Sequence, residues 1–153
     1  MSIVETAAAG TRAARRASRR PLVQHLITAD ENSLPELELM LAALPLCAVG
    51  RVFIEVAEAD DIGMVSAPPR MTVTWLVRTR HGVRRATGEL LTGAAAAWSD
   101  EMLCADADTG LPAEVTLLGG YVSTADLVDH LTGRHGVSPT AIHAPARYGL
   151  PVC

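Results

Sequence analysis

Leu22-Val-Gln-His-Leu-Ile-Thr-Ala-Asp-Glu-Asn-Ser-Leu-Pro-Glu-Leu37 reads as a buried strand that passes through a polar turn straight into a helix. The apolar run Leu22–Thr28 is the strand. Asp30-Glu31-Asn32-Ser33 supplies cap residues, and Pro35 suits the first helical turn. Leu34, Leu37, Leu41 and Leu44 recur at helical spacing, so the spacing predicts a helix over Glu31–Leu44. A strand-to-helix turn of this kind is where open α/β sheets hold ligands. Ala29 occupies the place where a phosphate-binding loop favours glycine, and its methyl group is expected to obstruct close backbone approach.

The same alternation continues outward from this unit. Arg51–Ala57, Met71–Val77, Val115–Leu118 and Thr140–Ala144 read as further strands. Val83–Trp98 reads as a helix weakened by Gly88 and Gly93, Ser99–Pro112 as a polar loop, and Ser123–Arg134 as a helix ended by Gly136. Ser123 is the expected N-cap, with Asp126 at capping-box spacing. The pattern predicts an α/β fold: a three-layer, doubly wound sandwich around a five-stranded, mostly parallel sheet. Residues 1–20 are expected to be a flexible arginine-rich tail and residues 21–153 a single domain.

Composition narrows the function classes. The chain has 153 residues, 13 basic groups, all arginine, and 17 acidic ones. The absence of lysine excludes Schiff-base chemistry and a lysine-headed phosphate loop. Beyond residue 20, eight arginines face sixteen acids, which argues against nucleic acid as a partner. No apolar run reaches the roughly 20 residues of a membrane span. Cys47, Cys104 and Cys153 are too dispersed for a disulfide or metal framework, and reduced thiols fit a cytoplasmic protein. The five histidines show no zinc-type spacing, so no metal site is expected. Neither Ser33 nor Cys104 stands in a recognisable nucleophile motif, and no catalytic residue is assigned.

Several residues remain open between two roles. The Asp30–Ser33 turn is either a ligand cradle or a well-capped helix start. Gly119-Gly120, between a strand and a helix, allows close approach of a ligand or a tight turn. Glu55, near the end of the second strand, stands where dinucleotide folds bind ribose, although Glu58, Asp60 and Asp61 make a solvated acidic loop the plainer reading. A receiver-like fold fits poorly, because Arg78 ends the third strand and there is no lysine.

Four segments, in order, resemble the siderophore-interacting proteins, the flavin-dependent ferric-siderophore reductases. His-Leu-Ile-Thr-Ala-Asp-Glu-Asn-Ser-Leu-Pro (25–35) is similar to that family's H-L-L-x-G-D-E-T-A-L-P. Arg51-Val-Phe-Ile-Glu-Val-Ala-Glu-Ala-Asp-Asp resembles its second strand, Val73-Thr-Trp-Leu-Val-Arg its V-T-W-L-x-R strand, and Leu127–Gly136 its last helix. The resemblance covers about residues 22–149. It implies the family's C-terminal, ferredoxin-reductase-like NAD(P)H-binding domain, with NADPH or NADH as cofactor. FAD, which the family binds on an N-terminal barrel, is not expected on this chain alone.

The partners implied are a separate flavin-binding protein or a second copy in a homodimer. Ferric siderophore would be met only indirectly. The alternative is a non-catalytic binding or dimerisation module that keeps the fold and has lost the nucleotide. By resemblance and position, the cofactor-binding candidates are Ala29, Asp30, Glu31, Asn32, Glu55, Arg78, Gly119, Gly120 and Arg147. The chain departs from the family at Ala29, at Gly120 in place of an acid, and at Ala144-Pro-Ala-Arg-Tyr-Gly in place of G-Y-W-R-x-G.

Overall fold

The computed structural model describes residues 22–103 and 112–153; the arginine-rich tail and Cys104 lie outside them. The strands are β1 (Gln24–Asp30), β2 (Val49–Val56), β3 (Arg70–Val77), β4 (Thr79–Arg80), β5 (Val83–Arg84), β6 (Ala113–Leu117) and β7 (Ile142–His143). The α-helices are α1 (Leu34–Ala43), α2 (Glu89–Met102) and α3 (Tyr121–His135). Five strands form one sheet in the order β3-β2-β1-β6-β7, and every pairing in it is parallel. The chain therefore steps outward from β1 to β3, then returns across the sheet to place β6 on β1's other side. That reversal creates a switch point between β1 and β6 at the strands' C-terminal edge.

Alternation along the strands builds two cores. Ile27 and Ala29 face α1 and pack with Leu37, Leu41, Val52 and Ile54. Leu26 faces the other way, among Leu91, Trp98, Val115, Leu127 and Leu131 from β6, α2 and α3. Fully burying a leucine contributes about 1.5–3 kcal/mol, and Leu37 and Leu41 are the buried anchors of the short α1 on the sheet. None of the described helices is long and apolar enough to cross a membrane.

The structure corrects five boundaries. α1 starts at Leu34, because Asp30–Ser33 closes as a turn. The segment read as the start of a helix at Val83 is instead the second strand of a hairpin. His81 (φ 51°) and Gly82 (φ 76°) join β4 to β5 in a tight two-residue turn, and α2 begins only after Gly88. α2 then continues past Trp98 to Met102, and Ser99, inside it, donates its hydroxyl to the Ala95 carbonyl at 2.8 Å. The N-cap of α3 is Gly120, not Ser123, whose hydroxyl donates back to the Gly120 carbonyl at 2.9 Å. The last strand shortens to Ile142–His143 behind a 3-10 turn at Pro139–Ala141. Gly136 ends α3 in the left-handed conformation (φ 61°), as its position in the sequence implies.

Candidate functional site

The parallel strands deliver their turns to one edge, where the N-termini of α1, α2 and α3 also gather. At the first turn, the Asp30 carboxylate accepts from the Asn32 N–H at 2.9 Å and lies 3.2 Å from the Ser33 hydroxyl. The Asp30 N–H in turn donates to Ser33 Oγ at 3.0 Å. Asp30 and Ser33 are buried, so the turn is a self-bonded knot that fixes the entry to α1. Ala29 is fully buried in the α1-side core. Its methyl group points into packing and does not obstruct the edge.

Arg78 joins two other candidate residues. Its guanidinium pairs with both oxygens of Glu31, from Nη1 at 3.1 Å and from Nη2, and Nη1 also reaches Glu55 Oε1 at 3.0 Å. Glu55 has no exposed surface; its carboxylate also accepts from the N–H groups of Gly88 at 2.7 Å and Leu91 at 3.0 Å. One buried acid thus neutralises the start of α2 and anchors Arg78. Glu55 holds the edge together and offers no free oxygen to a ribose. The Arg78 Nε is buried without a partner among the described residues. The acids beyond Glu55 do form the solvated loop: Glu58 and Asp61 bond reciprocally around a 3-10 turn.

These contacts set a pH dependence. The Arg78 hydrogen bond holds the Glu31 carboxyl below its ordinary value of 4.5, against partial burial, which raises it. A carboxyl depressed in the folded state contributes stability that is complete above that ordinary value and is lost as pH falls through the folded one. The thermal midpoint of the wild-type protein should therefore drop more steeply below pH 4.5 than that of Glu31→Gln. Parallel curves for the two proteins in an acid titration would contradict this.

The second group lies at the switch point. A Cβ on Gly119 would sit 2.8 Å from Leu91 Cδ2 and 3.2 Å from Ser123 Oγ, so a larger residue there would have to displace these side chains of α2 and α3. A Cβ on Gly120 would meet nothing within 4 Å, leaving open space over the start of α3. The Tyr148 hydroxyl donates to the Gly119 carbonyl at 2.9 Å, and its ring meets Tyr121 edge-on at 5.6 Å. Arg147 lies over the Tyr148 ring at 4.8 Å, so the C-terminal segment brings its exposed guanidinium beside this turn.

The N-termini of the three described α-helices differ in charge. Asp30 and Glu36 stand at α1, and Glu55 and Glu89 at α2, whereas the first turn of α3 carries no acid. Its leading N–H groups lack intrahelical acceptors, which favours an anion there. Beyond Arg78, at the end of β3, lies an open cavity of about 780 Å³ lined by Trp75, Val77, Arg80, His81, Val83 and Arg85, among others. Sequence reasoning missed the roles of Gly88, Tyr121 and Tyr148. The aromatic beside Arg147 was the available signal for the last of these.

Comparison with known proteins places this arrangement. The model of the family described as siderophore-interacting protein matches residues 22–144. Over 54 residues the chain is 44% identical to an uncharacterized protein of Mycobacterium tuberculosis, which is 35% of this chain and 19% of that protein. It is 34% identical over 62 residues to the ferric vibriobactin reductase ViuB of Vibrio cholerae, which is 38% of this chain and 23% of the reductase. The crystal structure of the siderophore-interacting protein SipS from Aeromonas hydrophila aligns with a TM-score of 0.61 at 17% identity. That alignment covers 82% of this chain and 50% of SipS. The matches thus extend over half or less of these proteins' own length.

Proposed function

The chain belongs to the siderophore-interacting protein family, and on that premise we propose that it is the pyridine-nucleotide module of a ferric-siderophore reductase system. It takes NADPH or NADH across the C-terminal edge and works with a flavin held outside the described residues. When bound there, the nucleotide would supply a hydride, two electrons, to that flavin, which would pass one electron to each of two ferric chelates and release iron as Fe(II). The observation that carries this reading is the acid-free start of α3 behind Gly119-Gly120. There the dinucleotide's pyrophosphate meets free N–H groups, the helix dipole and Arg147. The cavity beside Arg80 and Arg85 lies three strand spacings away, about 14 Å, a distance an extended dinucleotide covers.

Gly120→Ala separates binding from folding. The added methyl touches no protein atom but occupies the space assigned to the phosphates. Calorimetry with NADPH and NADH should show at least a tenfold loss of affinity, while the unfolding midpoint falls by only the small cost of alanine at the α3 N-cap. Unaltered affinity in Gly120→Ala would remove the phosphate from this position.

A second reading, a non-catalytic interaction module, draws on a different observation. Glu31 and Glu55 are both paired with Arg78, and Leu39, Leu46 and Met64 are 76%, 80% and 97% exposed. An apolar surface of this kind suits a partner protein or a second copy. Absence of binding heat at millimolar nucleotide in the wild-type protein, together with dimerisation in sedimentation, would favour it.

A further inference from the structure

Asp100, His130 and His135 are scattered in the sequence, yet the fold brings one ligand atom from each within 4.8 Å of the others. Asp100 lies in the last turn of α2; His130 and His135 lie in the final part of α3. The cluster sits where these helices end, at the edge opposite the nucleotide site. His130 Nε2 is 2.9 Å and His135 Nε2 2.7 Å from the same oxygen, Asp100 Oδ1.

The His135 ring fixes the chemistry of this contact. Its Nδ1 lies 2.9 Å from the Leu103 carbonyl, which can only accept, so Nδ1 carries the hydrogen. In the neutral ring, Nε2 then presents a lone pair to the Asp100 carboxylate. Two electron-rich atoms at 2.7 Å need a cation between them, either a proton or a metal. An N–H to carbonyl bond on the far nitrogen is also how metal-bound histidines are usually held.

Two further features favour a cation. The C-terminal ends of α2 and α3 converge here, and both carry negative partial charge. Asp100 is an acid at the unfavourable end of a helix dipole, a placement that makes sense beside a positive charge. We propose that Asp100, His130 and His135 bind a divalent first-row transition metal, with water completing the shell. Two imidazoles and one carboxylate suit zinc-class ions. Ligand atoms around a tetrahedral zinc lie about 3.3 Å apart, given bonds of about 2.0–2.1 Å, so the two Asp100 contacts, at 2.9 and 2.7 Å, need to open by about half an ångström. His135 is nearly buried and Asp100 is 38% exposed, which leaves an open side for the water. The ion would tie α2 to α3. Arg134 competes with it, because its Nε lies 2.9 Å from the same Asp100 oxygen.

Titration of the full chain with Zn²⁺ against a chromophoric chelator tests the site. One equivalent should bind and raise the thermal midpoint. His130→Gln/His135→Gln should bind at least tenfold more weakly, Arg134→Gln more tightly, and His143→Gln, altered away from the cluster, as the wild type does. Co²⁺ added to the unmutated protein should give the visible bands of a tetrahedral nitrogen–oxygen site, a readout independent of whether any variant folds. Equal Zn²⁺ affinity in the wild type and the folded double variant, or no such Co²⁺ bands, would show that the cation is only a proton and overturn the proposal.

Discussion

Arg78→Ala should destabilise the fold by about 3–5 kcal/mol, the usual result of removing one partner from a buried ion pair. Only 4% of the Arg78 side chain is exposed, and the Glu55 side chain has no exposure. After the change, Glu55 keeps the Gly88 and Leu91 N–H groups but loses its counter-charge. Domains of this size are typically stable by about 5–15 kcal/mol, so the loss takes a large share. Urea denaturation should show a midpoint lower by roughly 2 M. Arg78→Lys should fall between, since an ammonium restores charge but not the fork that bonds Glu31 and Glu55 together. Glu55→Gln/Arg78→Met removes both charges and should recover part of the loss, leaving only neutral hydrogen bonds to rearrange. A single-variant loss under 1 kcal/mol would mean that water reaches Glu55 freely.

The network explains what could be read from the residues and what could not. Strand periodicity and turn chemistry are local, and they delivered the parallel sheet, its helices and the two ends of the candidate edge. Arg78, Glu55 and Glu31 stood out individually, but as possible contacts to a ligand. Their mutual pairing depends on strand order, because 23 and 47 residues separate Arg78 from its partners. One clue was present. Glu55 interrupts an apolar run and pairs in register with Leu76, two residues before Arg78 on the same face. An acid and a base at those positions of adjacent strands imply an ion pair once β2 and β3 are neighbours.

The hairpin before α2 was hidden for a different reason. His81-Gly82 is a short turn signal, while the following alanine-rich stretch is strongly helical and extends the apparent helix backwards. Ser123 misled as a cap because serine hydroxyls satisfy carbonyls inside a helix as readily as N–H groups at its start. The Asp100–His130–His135 cluster has no signature at all along the chain, since it forms only when α2 and α3 pack side by side.

Gly50→Ala should be at least as damaging as loss of Arg78, through sterics alone. Gly50 pairs with His25 across β1 and β2, the two strands on which the sheet is built. A Cβ there would lie 2.0 Å from the His25 carbonyl oxygen and 2.8 Å from its backbone nitrogen. A flexible side chain could turn away from such a contact, but backbone atoms of a paired strand cannot. The strands must separate locally, breaking ladder hydrogen bonds that each contribute about 0.5–1.5 kcal/mol and opening the packing on both faces. Loss of several kcal/mol, seen as insoluble expression or a much lower thermal midpoint, is expected. Gly93→Ala supplies the opposite sign within the same protein. Gly93 lies inside α2, and its added Cβ would meet nothing within 4 Å, so the substitution should stabilise the helix by about 0.5–1 kcal/mol. If both alanine variants changed the midpoint alike, backbone contact between β1 and β2 could not be what demands glycine at position 50.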